Sequence, residues 1–182
     1  MERGVPSVER ICLHGTVLEP GRLLSLGAST DSADAEEVWR YVNFCREEKD
    51  MSLRGRLLTE AIWAKWEAPR IPEPRKAKKY SLKHPWSAEA RRVLEERGVA
   101  GLVIEHVYPK KLLKAEILAA KDVDEVRALL SERVLHAVIA RAEHQLLTHD
   151  GSSWQEFEAD PWLRYRAAWP ALEGFAVPDA GR

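Results

Sequence analysis

The chain has 182 residues, of which 45% are hydrophobic and 31% charged, and its formal net charge is −1. A chain of this size and apolar content can bury the core of one domain, or of one domain with a helical appendage. The small net charge excludes a strongly basic or strongly acidic protein, so any surface that binds nucleic acid has to be local.

The distribution of apolar and cysteine residues predicts a cytoplasmic protein without a membrane anchor. No segment approaches the roughly 20 apolar residues that a membrane-spanning helix needs. The N-terminal segment has no apolar stretch long enough for a signal peptide. Cys12 and Cys45 form no CxxC pair and no zinc-knuckle spacing, which favours a reducing compartment.

The first third of the chain predicts an antiparallel pair of helices. Asp34 is followed by a glutamate three positions later, a pattern typical of a capping box at a helix start. Ser52 is the expected cap of a second helix, which Pro69 should end. Two short strands are expected before this pair, over residues 8–13 and 16–18.

Residues 69–85 contain four prolines and six basic residues, a composition that predicts an extended connector. The connector divides the chain into residues 1–68, residues 69–85 and residues 86–182. It is either a solvated linker or a basic strap on a phosphate backbone. The strap interpretation depends on four basic side chains: Arg75, Lys76, Lys78 and Lys79.

The remaining residues alternate between helical and strand patterns. The expected elements are a helix from Ser87 to Arg97, a strand from Leu102 to Ile104, a helix from Lys110 to Ala120, a helix capped by Asp122, a β-rich stretch over 134–140 and a helix from Arg141 to Thr148. An aromatic-rich tail should cover an open face. The predicted fold class is α+β and mainly helical, with a small two-stranded β element and the N-terminal helix pair.

One constellation indicates chemistry. Glu105 and His106 end the expected strand, and Pro109 follows shortly after. His136 precedes His144 by eight positions, and His144 lies on the last expected helix. The order strand, acid–histidine pair, proline, second strand and histidine-bearing helix resembles the HNH, or ββα-metal, nuclease motif. The chain differs from that motif in having histidine at the middle position, where asparagine is usual.

The resemblance implies a role for each residue of the constellation. His106 would be the general base, and a histidine with its ordinary pKa of about 6.5 is partly neutral at neutral pH. His136 would orient that base. Glu105 and His144 would bind a divalent ion (Mg, Mn or Zn), with Glu143 as a substitute ligand. The basic residues after the strand would hold the nucleic-acid backbone: Lys110, Lys111 and Lys114.

The sequence thus predicts a metal-dependent nuclease of HNH-like type that hydrolyses phosphodiester bonds in DNA or RNA. Taken singly, each histidine and each carboxylate fits an ordinary structural role better than a functional one. Two alternatives stay open: a non-catalytic nucleic-acid-binding protein with a decayed motif, and a regulatory protein whose tryptophans serve a protein interface or a homodimer.

Overall fold

The computed structural model describes residues 12–13, 16–17, 22–23, 25–71, 84–148, 162 and 165. It confirms the α+β, mainly helical class. In chain order the elements are β1 Cys12–Leu13, β2 Thr16–Val17, α1 Ala28–Glu47, α2 Met51–Ile62, a π-helix Trp63–Glu67, α3 Ala68–Arg70, α4 Ala88–Arg97, β3 Leu102–His106, α5 Lys110–Ala119, α6 Val123–Arg133, β4 His136–Ala140 and α7 Arg141–Thr148. None of the helices among these residues has the length and apolar character to cross a bilayer.

The first helix begins earlier than the capping pattern predicted. Helix α1 begins at Ala28 and not at Asp34. The Asp31 carboxylate accepts hydrogen bonds from the Ser25 hydroxyl and from the Leu26 N–H, the latter at 3.1 Å. These bonds fold the preceding loop over the first helical turn, so the helix gains six residues at its start.

The predicted cap of the second helix was wrong by two residues. Asp50 is the N-cap of α2, and its carboxylate accepts from the N–H groups of Ser52 at 2.8 Å and Leu53 at 3.0 Å. A carboxylate is the stronger acceptor at a helix N-terminus because it also opposes the positive end of the helix dipole.

Pro69 does not end the helix as predicted. Helix α2 passes into the π-helix, in which the Ala68 N–H donates to the Trp63 carbonyl five residues earlier, and then into α3. Proline lacks an N–H and its ring crowds the carbonyl four residues before it. The wider π turn accommodates both defects, so the chain stays helical through Arg70.

Strands β3 and β4 form an antiparallel pair with an unbroken register from Leu102 opposite Ala140 to His106 opposite His136. The pairing confirms the expected two-stranded β element. Helices α5 and α6 are inserted between the two strands. The segment before α4 lies along the other side of β4, where Trp86 bridges to Val138.

The β3–β4 pair is covered on both faces. One face packs against α4 through an apolar cluster that includes Trp86, Ala90 and Val138. The other face packs against a cluster that includes Ile139, Leu147 of α7 and two aromatic side chains of the tail, Trp162 and Tyr165. Because side chains alternate along a strand, neighbouring residues of β3 enter different environments.

The largest apolar cluster lies among α1, α2, the π-helix, α5 and α6. It includes Val38, Leu58, Trp66, Ile117 and Leu130, all fully or nearly fully buried. Helices from before and after residues 72–83 therefore share one core, and its edge brings the π-helix beside the end of β3.

Candidate metal centre

Three side chains from three elements meet where the π-helix approaches the β3–β4 pair. Glu67 is the last residue of the π-helix, His106 ends β3 and His136 begins β4. Glu67 Oε2 lies 2.9 Å from His106 Nε2 and 3.2 Å from His136 Nε2. We call these three residues the triad.

The fold explains why the triad forms at this position. His106 and His136 are directly opposite each other in the ladder, and their ring centroids are 4.7 Å apart. The π-helix turns the Glu67 carboxylate inward, toward both rings. One ligand atom from each residue lies within 4.8 Å of the other two, so the triad could hold a metal ion.

The triad is buried except at one edge. The side chains of Glu67 and His136 are completely buried, whereas 16% of the His106 side chain is exposed. Lys110, at the start of α5, places Nζ 3.5 Å from Glu67 Oε1 and is 30% exposed. Solvent or a substrate would therefore approach past His106 and Lys110.

The electrostatics of the triad favour an ionised Glu67 carboxylate beside a neutral His106 imidazole. Burial on its own raises the pKa of Glu67, but His106 and His136 lower it more, by their charge and by hydrogen bonding, so that its pKa lies well below the usual value. Burial lowers the pKa of His106 to about 4, although Glu67 opposes this shift. A neutral imidazole and an ionised carboxylate are the forms that bind metal ions.

His84 is a fourth residue beside the triad. Its ring meets the His136 ring edge-on, with centroids 5.4 Å apart. Burial, and then the charge of His136, lowers the pKa of His84 to about 4. Within the described part of the chain, three buried atoms around this point have no hydrogen-bond partner: Glu67 Oε1, His84 Nε2 and His136 Nδ1.

Unpartnered buried polar atoms are uncommon in folded proteins and often mark a missing water or ion. The donor set also fits a divalent cation. Two imidazoles and one carboxylate are ligands found in catalytic zinc sites, where three protein ligands leave further positions open. The residues present therefore suit a metal ion, but they do not select one metal.

The structure places the predicted metal ligands on the opposite face of the β3–β4 pair. Glu105 Oε2 lies 3.0 Å from His144 Nε2, with 11% and 37% of the respective side chains exposed. Strand β3 continues without a break through His106, so Glu105 and His106 point to opposite faces. The predicted set thus forms two pairs, Glu105 with His144 and His106 with His136, and not a single cluster.

Glu143, the expected substitute ligand, has a different set of partners. It is nearly fully buried and accepts hydrogen bonds from the Ser87 hydroxyl and, at 2.8 Å, from the Ala140 N–H. Burial raises the pKa of this carboxyl above its usual value, although both hydrogen bonds oppose the shift. Glu143 therefore ties the start of α4 to the end of β4.

The predicted basic residues differ in their environments. Lys110 lies at the triad, Lys114 contacts α2 and Lys111 is exposed. The four basic side chains on which the strap interpretation depends lie outside the described residues: Arg75, Lys76, Lys78 and Lys79.

Two residues of this centre, Glu67 and His84, were missed in the sequence. Glu67 lies 39 positions before His106, and no short-range pattern links them. One local signal was present, since Glu67 follows a tryptophan on the apolar stripe of a helix and precedes a proline by two positions. A carboxylate in that position is unusual, because acidic residues are rarely buried without partners.

Comparisons of the chain with protein-family models, with curated proteins and with solved structures give no match. The geometry of the triad is therefore the starting point for assigning a function.

Proposed function

We propose that the chain is a metal-dependent hydrolase that cleaves phosphodiester bonds in nucleic acid, with the metal ion held by Glu67, His106 and His136. The observation that carries this proposal is the meeting of three ligand atoms within 4.8 Å at the solvent-facing edge of a buried cluster. Each ligand comes from a different element, so the fold and not a local loop fixes the geometry.

A divalent ion at this position would act as a Lewis acid and would lower the pKa of a bound water. The chain supplies the other requirements of phosphodiester hydrolysis. Lys110 provides a cation at the entrance, where a phosphate would approach. The His106 imidazole stays neutral at neutral pH because burial lowers its pKa, and the surrounding low-polarity core strengthens every charge interaction there.

The choice of nucleic acid as the substrate depends on two features of the sequence. The stretch from Glu105 to Pro109, with His136 and His144, resembles the HNH motif. The lysines of α5 begin at the triad and continue along the helix. Lysine side chains hold a phosphate backbone without reading its sequence.

The same activity could instead use a metal ion bound by the ligands that the sequence predicted, Glu105 and His144. Glu105 Oε2 and His144 Nε2 lie 3.0 Å apart, and the 37% exposure of the His144 side chain leaves room for waters on a metal bound there. In that arrangement the triad would have a structural role. The two arrangements predict different sensitivities to substitution.

The experiment compares Glu67→Gln with His144→Gln. Titration with Zn²⁺ and Mn²⁺ by calorimetry measures the affinity for the metal, and plasmid DNA and RNA serve as substrates for cleavage. We expect Glu67→Gln to weaken metal binding by more than about 100-fold, because even the outer partners of metal ligands contribute 10–100-fold. Cleavage should fall with it, and His144→Gln should retain both properties.

The opposite pattern, with loss in His144→Gln alone, would move the metal to Glu105 and His144. Metal binding without cleavage of either nucleic acid would exclude the nuclease. In that case a mobility shift that weakens as salt rises would support the non-catalytic nucleic-acid-binding alternative. If no shift occurs, the regulatory alternative remains.

A further inference from the structure

A groove of about 420 Å³ lies between α2 and α5, away from the triad itself. Five of its seven lining residues have polar side chains, although more of the surface they line is apolar than polar. Arg56 and Lys114 are cationic, and Glu60 is the one acidic side chain among the lining residues. The charged side chains of the lining therefore have a net positive charge, which favours an anion.

Lys114 is the cation that the fold holds in this groove. Its Nζ donates to the Gly55 carbonyl at 3.3 Å and to the Thr59 hydroxyl at 3.2 Å. An ammonium group has three N–H donors, so one donor remains after these two bonds. Among the described residues no carboxylate forms an ion pair with Lys114. Within the described part of the chain, Lys114 is thus a partly buried cation without a paired carboxylate.

Burial and a neighbouring charge both act on this ammonium group. The pKa of Lys114 is lowered by burial and then by the charge of Lys110. Both effects penalise the charged form, and an anion in the groove would relieve both. The groove thus has a charge and a donor that an anion would satisfy.

The groove is connected to the triad by one face of α5. Lys110 and Lys114 are four residues apart, so they lie on the same face with a rise of about 6 Å between them. Lys110 reaches Glu67 of the triad, and Lys114 reaches the groove. The backbone of a nucleic-acid strand that passes the triad could therefore extend along this face of α5.

We propose that the groove between α2 and α5 is a phosphate subsite for the nucleic-acid strand, in which Lys114 and Arg56 bind a backbone phosphate next to the one at the triad. The Ser52 hydroxyl can donate a further hydrogen bond to that phosphate, whereas the Thr59 hydroxyl already donates to the Gly55 carbonyl at 2.8 Å. The inference builds on the proposed nuclease function and adds the path of the strand.

The test measures the binding of a short single-stranded oligonucleotide to Lys114→Gln at several salt concentrations, in the presence of Mn²⁺. Each neutralised phosphate of a single strand contributes a slope of about 0.7 in log affinity against log salt. We expect the slope to decrease in magnitude by about 0.7 in Lys114→Gln. A glutamine amide can still donate to Gly55 and Thr59, so the fold should be retained, which circular dichroism checks.

The matched control is Lys121→Gln, which removes the same charge from an exposed lysine just beyond the other end of α5. It should leave the slope unchanged. A second arm uses wild-type protein and oligonucleotides with one neutral methylphosphonate linkage at successive positions. One position should weaken binding to the wild type and have no further effect on Lys114→Gln.

The outcomes separate the subsite from the nuclease. If the wild type cleaves and Lys114→Gln behaves like Lys121→Gln, the subsite is excluded and the nuclease stands. If inorganic phosphate binds to the wild type and not to Lys114→Gln while no strand binds to either protein, the groove is a free-anion site and the inference is overturned. If the wild type binds neither metal nor strand, both proposals fail.

Discussion

At the scale of single residues, Asp31 and Arg70 hold the segment that carries Glu67. The Arg70 guanidinium is nearly fully buried, pairs with Asp31 and donates to Asp34 at 2.8 Å. It also donates to the Trp66 carbonyl at 2.9 Å and lies over the Trp66 ring, 3.7 Å from its centroid. The start of α1 is thereby fastened to the π-helix.

The Asp31 carboxylate should make stability depend on pH. Burial on its own raises its pKa, but hydrogen bonds from Ser25 and Arg70 lower it more, so the pKa in the folded state is below the usual value. An acid with a depressed pKa stabilises the fold above its unfolded value of about 3.9, and the contribution is lost as pH falls through the folded value.

We therefore expect Asp31→Asn to lower the free energy of unfolding at pH 7 by about 1.5–3 kcal/mol, as for hydrogen bonds to charged groups. The difference from the wild type should shrink below pH 4, and urea unfolding at several pH values measures it. Asp124→Asn is the control, since Asp124 is 78% exposed in its pair with Arg127 and should cost less than about 1 kcal/mol. Equal effects of the two substitutions would contradict the role given to Asp31.

At the scale of elements, the π-helix is the feature on which the triad depends. A π turn contains one more residue than an α turn, and each residue of an α-helix turns the chain by about 100°. If the segment reverted to a regular α-helix, Glu67 would rotate relative to α2 and no longer face both histidines.

Pro69→Ala tests this dependence. The substitution restores the missing N–H and removes the crowding of the carbonyl four residues earlier, so the α form becomes available. We expect thermal stability to be unchanged or higher, with metal affinity lower by at least about 10-fold, the lower range for disturbing a metal site. Glu60→Ala, an exposed position one turn before the π-helix, should leave the affinity unchanged. Undiminished affinity in Pro69→Ala would show that the proline does not maintain the π turn.

Some helix ends could be predicted from the sequence and others could not. Ser87 and Asp122 cap α4 and α6 as predicted, with hydrogen bonds of 2.9 Å to N–H groups three residues later. Such signals are readable because the capping side chain and the N–H group that donates to it are close in the chain. Pro69 was misleading because the response of a helix to proline depends on what the segment packs against.

At the scale of the whole molecule, the triad joins two parts of the structure. Glu67 belongs to the helices of the largest core, whereas His106 and His136 belong to the β3–β4 pair. A metal ion would cross-link these parts in the folded chain only. Ligands that bind only the folded state stabilise it by mass action, by about 2.7 kcal/mol at 100 times the dissociation constant.

We expect saturating Zn²⁺ or Mn²⁺ to raise the melting temperature by about 5–10 °C, given roughly 2–4 °C per kcal/mol for a chain of this size. Calorimetry or fluorescence measures the shift, and EDTA should reverse it. Glu67→Gln should show little or none of it. An equal shift in that variant would place the ion elsewhere.

The site was harder to predict than the fold because one of its residues is brought in by packing between distant parts of the chain. His106 and His136 were singled out because their order and their spacing to Pro109 and His144 resemble the HNH motif. Their partner Glu67 is brought in by the packing of α1, α2 and α5 against each other. The spacing of apolar residues in the sequence does not predict which helices pack together. Strand alternation puts Glu105 and His106 on opposite faces of the β3–β4 pair, which a match to a linear motif does not take into account.

The register of β3 and β4 holds residues together that are far apart in the chain. His106 and His136 are 30 positions apart in sequence, and the ladder alone holds their rings 4.7 Å from each other. Insertions or deletions in the connection from α5 to α6 can accumulate over evolution without moving either ring. A single-residue deletion inside a strand would instead exchange the faces, and would put Glu105 where His106 now lies. Relatives of this chain should therefore vary in the length of that connection and keep the two strands free of insertions.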